Sequence, residues 1–264
     1  PVALAMNYMA HGCPVVLINF DAKLALDVIQ QERVSAFLGI TTMINWMMAV
    51  EGFEDYDLSS LRNFQYGGGP MPRSVVEAAL KAFPCTMIQG YGQTEGMTMT
   101  FLSQEDHQRA IAGDHPERLG SCGREGFVSE IRVVDPEGEP VPRDGQTAGE
   151  IVVRSEANML GYWRRPDLTE QTLRGGWMWT GDIACWDEDG YLFIIDRAKD
   201  MIISGGENIY STQVEAAIHN HPGVLECAVI GIPDVEWGES VKAVVVMKPG
   251  ETASEEAIID AARR

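Results

Sequence analysis

The chain has 264 residues, a net charge of −19 and 45% hydrophobic residues. That length suffices for one large domain or two smaller ones with a sizeable core. The charge disfavours nucleic acid as a partner, because such binding relies on Lys and Arg neutralising phosphates, and no stretch reaches the roughly 20 unbroken apolar residues of a membrane-spanning helix.

Residues 1–100 alternate apolar runs with helical patterns. Pro14–Ile18, Ala36–Ile40, Asn63–Tyr66 and Thr86–Gln89 read as strands. Asp21–Val34, Thr42–Val50 and Arg73–Phe83 read as helices. Apolar strands alternating with helices predict a parallel sheet covered on both faces. The character changes near Gly120. Glu130–Asp135, Glu150–Arg154, Trp177–Trp186 and Tyr191–Ile195 read as short strands, with turns at Pro136–Pro140 and Asp187–Gly190. A third region begins near Asp196. Met201–Ser204, Cys227–Gly231 and Val241–Met247 read as strands, Thr212 and Glu215 have capping-box spacing at the head of a helix ending near His219, and Ser254–Arg264 opens another helix. The expected fold class is α/β: a parallel sheet subdomain over 1–120, a small β-rich subdomain over 121–197, and a truncated C-terminal α+β domain over 198–264.

The five cysteines, Cys13, Cys85, Cys122, Cys185 and Cys227, are dispersed and form no CxxC pair. That pattern argues against a zinc ribbon or a disulfide framework and fits a reducing compartment, so a cytoplasmic location is expected. His219, His221 and Cys227 match no usual zinc spacing and read as a helix end and turn. The chain starts at Pro1 in an apolar stretch, with no signal-peptide pattern, and stops at Arg264 inside a helical pattern, so both ends are expected to be cut.

Tyr91-Gly92-Gln93-Thr94-Glu95 follows a strand of the parallel sheet. Ligands of such folds bind outside the strands' carboxyl ends, and this segment offers an aromatic face, a flexible Gly, a hydroxyl and a carboxylate. Those groups suit a purine, close backbone approach, phosphate oxygens and Mg²⁺; an ordinary loop is the competing reading. Gly67-Gly68-Gly69-Pro70 lets backbone approach a ligand or makes a tight strand–helix turn. Asp182, in Trp179-Thr180-Gly181-Asp182, is suited to both hydroxyls of a ribose or is a solvated turn acid. The alternating charges of Asp196–Asp200 suggest a hinge or a solvated linker, and Gly205-Gly206-Glu207-Asn208 a channel wall or a turn.

Taken in order, these segments, with Gly149–Arg154, Gly161-Tyr162-Trp163 and His221-Pro222-Gly223-Val224, resemble the adenylate-forming superfamily of acyl-CoA synthetases, peptide-synthetase adenylation domains and luciferases. The resemblance runs over essentially the whole chain and implies an ATP-dependent ligase. Such an enzyme converts a carboxylic acid to its adenylate and passes the acyl group to coenzyme A, with Mg²⁺ at the phosphates. It implies that Tyr91 stacks on adenine, that Gly92 is among the nucleotide-binding residues, that Thr94 contacts phosphate, and that Glu95 helps hold Mg²⁺. Asp182 would bind the ribose hydroxyls, Arg197 would add a second ribose or a phosphate contact, and Gly67, Gly68 and Gly69 would line the adenine and acyl pocket. Lys199 sits at the family's hinge, and Gly205, Gly206 and Glu207 would border the pantetheine channel. Thr42, Met43, Trp46 and Met47 fall where the family builds its acyl pocket, and read equally as one core face of a helix. The Gly-Gly-Gly-Pro-Met and Gly-Gly-Glu-Asn-Ile-Tyr forms look most like fatty-acyl or aryl-acyl CoA ligases. The family's phosphate loop and its catalytic Lys are not in the chain, so these residues alone are expected to be inactive. Loading of a carrier protein, and a non-catalytic nucleotide- or acyl-binding role, stay open. Oligomeric state is not legible.

Overall fold

A computed structural model describes residues 2–69 and 71–263. The chain divides into two compact units: Pro1–Arg132, Val152–Trp179 and Trp186–Phe193 form one, and Val133–Ile151, Thr180–Cys185 and Ile194–Arg264 the other.

The first unit opens with α1 (Val2–Ala10) and α2 (Ala22–Gln31), followed by β1 (Ala36–Gly39) and α3 (Thr41–Met48). Then come β2 (Asn63–Gly67), α4 (Arg73–Ala82), β3 (Thr86–Gln93), β4 (Met97–Leu102), α5 (Gln104–Ile111) and β5 (Arg124–Glu125). The strands form one sheet in the order β1-β2-β3-β4-β5. β1, β2 and β3 are parallel, as the alternation of strands and helices predicts. β4 and β5 return antiparallel. The apolar faces of α2, α3 and α4 are set by helical spacing: Leu26 and Ile29, Ile44 and Met47, Val76 and Ala79 are buried. They pack in one core with Phe64 and Met87 from the sheet. Asp21 caps α2 by accepting from the Leu24 amide at 2.8 Å, which fixes where that helix starts.

Pro14–Ile18, expected as a strand, is irregular chain. None of its residues enters a strand ladder, and an apolar run without a partner strand cannot satisfy its backbone as β structure.

β6 (Ser129–Val134), β7 (Gly149–Ser155), β8 (Leu173–Arg174), β9 (Trp177–Trp186) and β10 (Leu192–Arg197) form a second sheet in the order β10-β9-β7-β6, with β8 on β9 and α6 (Pro166–Thr172) before it. In the second unit, β11 (Ile202–Ser204), β12 (Glu207–Ile209), β13 (Val224–Asp234) and β14 (Gly238–Met247) are ordered β12-β11-β14-β13. α7 (Ser211–His219) and α8 (Glu255–Ala262) accompany them. Ile202, Ile218, Val224 and Val229 form the buried core there. The expected capping box at Thr212 and Glu215 is absent, since the cap of α7 is Tyr210, with no side-chain bond. Thr212 Oγ1 donates to the Ile195 carbonyl, and the Glu215 carboxylate accepts from the Val229 amide at 2.9 Å. One side chain is drawn to β10 and the other to β13 instead of to the helix end.

Phe64 is fully buried and meets Phe37 and Phe83 edge-on, with centroids 5.2 and 4.8 Å away. Phe64→Ala is expected to lower unfolding free energy by about 3–5 kcal/mol through lost burial and a cavity. Denaturant unfolding of the chain checks this; a loss under about 1 kcal/mol contradicts the packing described.

Candidate active site

The first group of candidate residues lies at the carboxyl ends of β2 and β3. Gly67 pairs with Gly90, and a Cβ on Gly67 would lie 2.1 Å from the Gly90 carbonyl oxygen. The strands therefore require glycine at 67. Gly68 has φ +80°, while a Cβ on Gly69 would meet nothing within 4 Å. Open backbone at Gly69 is accessible to a ligand; Pro70 of the same motif lies outside the described residues.

Tyr91 is not in a loop. β3 runs through Gln93, and Tyr91 is paired with Thr100 on β4 and 8% exposed. Gly92 sits at a register shift, where a Cβ would lie 1.9 Å from the Met97 carbonyl oxygen. Its role in this geometry is close strand approach. The chain turns at Thr94-Glu95-Gly96, closed by the Gly96 amide donating to the Gln93 carbonyl at 3.1 Å. Thr94 is exposed and Glu95 half-buried. The Glu95 carbonyl accepts from the Met159 amide at 2.6 Å, and Glu95 Oε1 accepts from the Tyr162 hydroxyl at 2.9 Å. Tyr162 was legible only as part of the Gly161-Tyr162-Trp163 motif, with no role attached.

Could this turn hold Mg²⁺? Among the described residues no group of three or more His, Cys, Asp or Glu is placed to hold a metal ion. A single oriented carboxylate fits a hard cation that takes most of its oxygens from phosphates and water. The donor set would therefore fit a cation that arrives with a nucleotide, and Glu95 is the residue that would hold it.

On α3, the candidate acyl-pocket residues separate by burial. Met47 is fully buried in the core, Met43 is half-buried, and Trp46 is 58% exposed and stacked on Phe20 at 6.2 Å. Thr42 is exposed.

The second group lies in the other unit. Gly181 has φ +73°, and its amide donates to Glu150 Oε1 at 2.9 Å. Thr180 Oγ1 donates to the Ile151 carbonyl at 2.8 Å and accepts from the Asp182 amide at 3.1 Å. These bonds place the Asp182 carboxylate, 3% exposed, where Oδ1 meets Arg197 Nε at 2.8 Å. The two residues to which the resemblance gives nucleotide contacts are thus an ion pair in this structure. A charge-assisted bond fixes the carboxylate's orientation, and the Arg197 side chain stays 52% exposed. Asp196, read as part of a charged hinge, is buried: its Oδ1 accepts from the Arg197 amide at 2.7 Å and its Oδ2 from the Ser211 hydroxyl at 2.9 Å. It ties the end of β10 to the first turn of α7. Lys199 is exposed. Gly205 and Gly206, at φ +60° and +87°, form the two-residue turn between β11 and β12, which demands that backbone. A Cβ on Gly205 would lie 2.8 Å from the Trp237 ring, whereas Gly206 faces open space. Glu207 is exposed.

Comparison with known proteins places this geometry. Residues 2–163 match the family described as AMP-binding enzyme, and residues 213–264 match the AMP-binding enzyme C-terminal domain. A feruloyl-CoA synthase of an Amycolatopsis species is 42% identical over 92% of this chain and 48% of its own length. The medium/long-chain fatty-acid–CoA ligase FadD8 of Mycobacterium tuberculosis is 36% identical over 94% of this chain and 42% of its own. The o-succinylbenzoate-CoA synthetase MenE of Bacillus subtilis, solved with the acyl-adenylate OSB-AMP, has a TM-score of 0.84 at 30% identity, covering 99% of this chain and 51% of that one. The chain thus spans about half the length of the curated relatives it matches. It belongs to the AMP-binding enzyme family of adenylate-forming ligases.

Proposed function

We propose that this chain supplies part of an ATP-dependent acyl-CoA synthetase acting on a fatty or hydrophobic aryl acid. The observation that carries the reading is 42% identity to a feruloyl-CoA synthase across 92% of the chain. The fatty-acyl and aryl-acyl relatives bracket the proposed substrate class. We place the α/β part at 1–120, the β-rich part at 121–197 and the C-terminal domain at 198–264, in the cytoplasm, in keeping with five dispersed cysteines that form no CxxC pair. A protein confined to the 264 residues is proposed to be inactive, because the resemblance leaves the phosphate loop and catalytic Lys outside them.

A carboxylate is a poor acyl donor because its leaving group would be oxide. In the proposed first half-reaction, a carboxylate oxygen attacks the α-phosphorus of ATP and pyrophosphate leaves. In the second, the CoA sulfur attacks the acyl carbon, AMP leaves, and the thiol proton passes to solvent. Bound Mg²⁺ supplies charge neutralisation at the phosphates. Glu95 would hold that cation from its turn, and Thr94, exposed beside it, would donate to a phosphate oxygen. Tyr91 and Gly92 would border adenine, with Gly67, Gly68 and Gly69 lining the pocket. Asp182 would accept from the ribose hydroxyls in the orientation that Arg197 gives it. From α3, Met43 and Trp46 offer surface to an acyl chain, while Met47 acts from the core behind them. Lys199 is the proposed hinge, and Gly205, Gly206 and Glu207 the proposed channel border.

An AMP-release and thioester assay of the full-length enzyme bearing this chain tests the reading. Acyl-CoA formation from fatty or aryl acids with free CoA is expected; transfer only to a carrier protein would replace CoA as the acceptor, and no adenylate with any acid would reject the ligase. Asp182→Ala in that enzyme removes hydrogen bonds to a charged acceptor, each worth about 1.5–3 kcal/mol. ATP use should fall about tenfold or more, with melting little changed because Arg197 can turn to water. Unchanged ATP kinetics would sink the ribose assignment. Gly206→Leu places a side chain in open space at the proposed channel but strains a turn that holds φ +87° there, so its melting is measured alongside. Pyrophosphate exchange should survive while thioester formation drops, and equal loss of both would make this turn structural.

A further inference from the structure

We infer that Tyr162 is a positioning residue for the nucleotide-borne cation, acting through the Glu95 carboxylate that its hydroxyl holds at 2.9 Å. The inference rests on the proposed role of Glu95 and deepens it.

The segment around residues 158–162 is fitted to the turn at more than one point. The Met159 amide donates to the Glu95 carbonyl at 2.6 Å, fixing the main chain on which the carboxylate stands. At Gly96 a Cβ would lie 2.5 Å from Met99 Cε, 2.6 Å from Met178 Cε and 3.2 Å from Asn158 Oδ1. Glycine at 96 thus lets the turn lie close against the ends of these side chains. Tyr162 is itself anchored: its amide donates to Thr169 Oγ1 at 2.9 Å, and Thr169 Oγ1 donates to the Arg165 carbonyl at 2.9 Å. A Cβ on Gly161 would meet Thr169 Cγ2 at 2.8 Å, so glycine at 161 lets the chain press against α6 while the next residue turns to Glu95. The adjacent aromatic, Trp163, is 84% exposed, so burial does not dictate that this stretch point its rings inward.

The chemistry follows from the bond. A phenol is protonated at neutral pH, so the Tyr162 hydroxyl is the donor to Glu95 Oε1. A donor on Oε1 selects one rotamer of Glu95 and directs the remaining lone pairs toward the open side of the turn. An outer partner of a ligating carboxylate tunes cation affinity without touching the cation.

The test uses the full-length enzyme with Mn²⁺ as the probe, bound together with α,β-methylene ATP, and read by water-proton relaxation. Tyr162→Phe is expected to weaken ternary Mn²⁺ binding about tenfold and to raise the Mg²⁺ concentration needed for half-maximal exchange in parallel, with the KM for the carboxylic acid unchanged. Glu95→Gln should weaken Mn²⁺ binding at least as much, and Tyr162→Phe added to Glu95→Gln should do nothing more. Thr169→Val, which loosens the anchor and leaves the pair itself intact, should shift affinity in the same direction by a smaller factor and serves if Tyr162→Phe melts early. Wild-type Mn²⁺ affinity in Tyr162→Phe alongside a weakened Glu95→Gln overturns the role of Tyr162 and leaves that of Glu95 standing. Wild-type affinity in Glu95→Gln overturns both.

Discussion

A methyl group on Gly67 would sit 2.1 Å from the Gly90 oxygen, and one on Gly92 would sit 1.9 Å from the Met97 oxygen. Backbone contact that close leaves β2, β3 and β4 little freedom to slide. The sheet delivers Gly68 and Gly69 at the end of β2, and the Thr94–Gly96 turn at the end of β3. Everything proposed for the phosphate-facing chemistry of the first unit hangs from those two strand ends. The parallel arrangement of β1, β2 and β3 puts such ends on one edge, the usual location of ligands in open α/β sheets.

The second unit works by electrostatic orientation. Asp182 is almost fully buried, and an unpaired carboxylate there would be costly. Arg197 offsets that cost and fixes the group's direction, and Asp196 next to it clamps the head of α7 through Ser211. Neighbouring acids thus divide the work: one is proposed to face nucleotide, the other is spent on the fold. In the short charged segment that follows, Lys199 and Asp200 are exposed.

Much of this was legible from local pattern. Asp21 and Ser254, where two expected helices begin, accept from the Leu24 and Ala257 amides at the starts of α2 and α8. The bounds of β9 coincide with the Trp177–Trp186 pattern. What failed was non-local. Pro14–Ile18 has the composition of a strand but no ladder to join. Tyr91 and Gly92 look like a loop because the glycines around them break the apolar run, whereas the return strand β4 keeps them in the sheet. Thr212 and Glu215 have the spacing of a cap, yet bonds to Ile195 and Val229 win. The Tyr162–Glu95 bond spans 67 positions in sequence, and no local rule connects them; only a resemblance carried the motif, and it named no contact.

The most direct test of the account is isotope exchange between pyrophosphate and ATP, catalysed by the full-length enzyme bearing this chain, with CoA left out. Formation of an acyl-adenylate makes the first half-reaction reversible by itself. The account predicts exchange that requires a fatty or aryl acid and Mg²⁺ and needs no CoA. Exchange that proceeds without any acid, or that fails with every acid while nucleotide still binds, would contradict it.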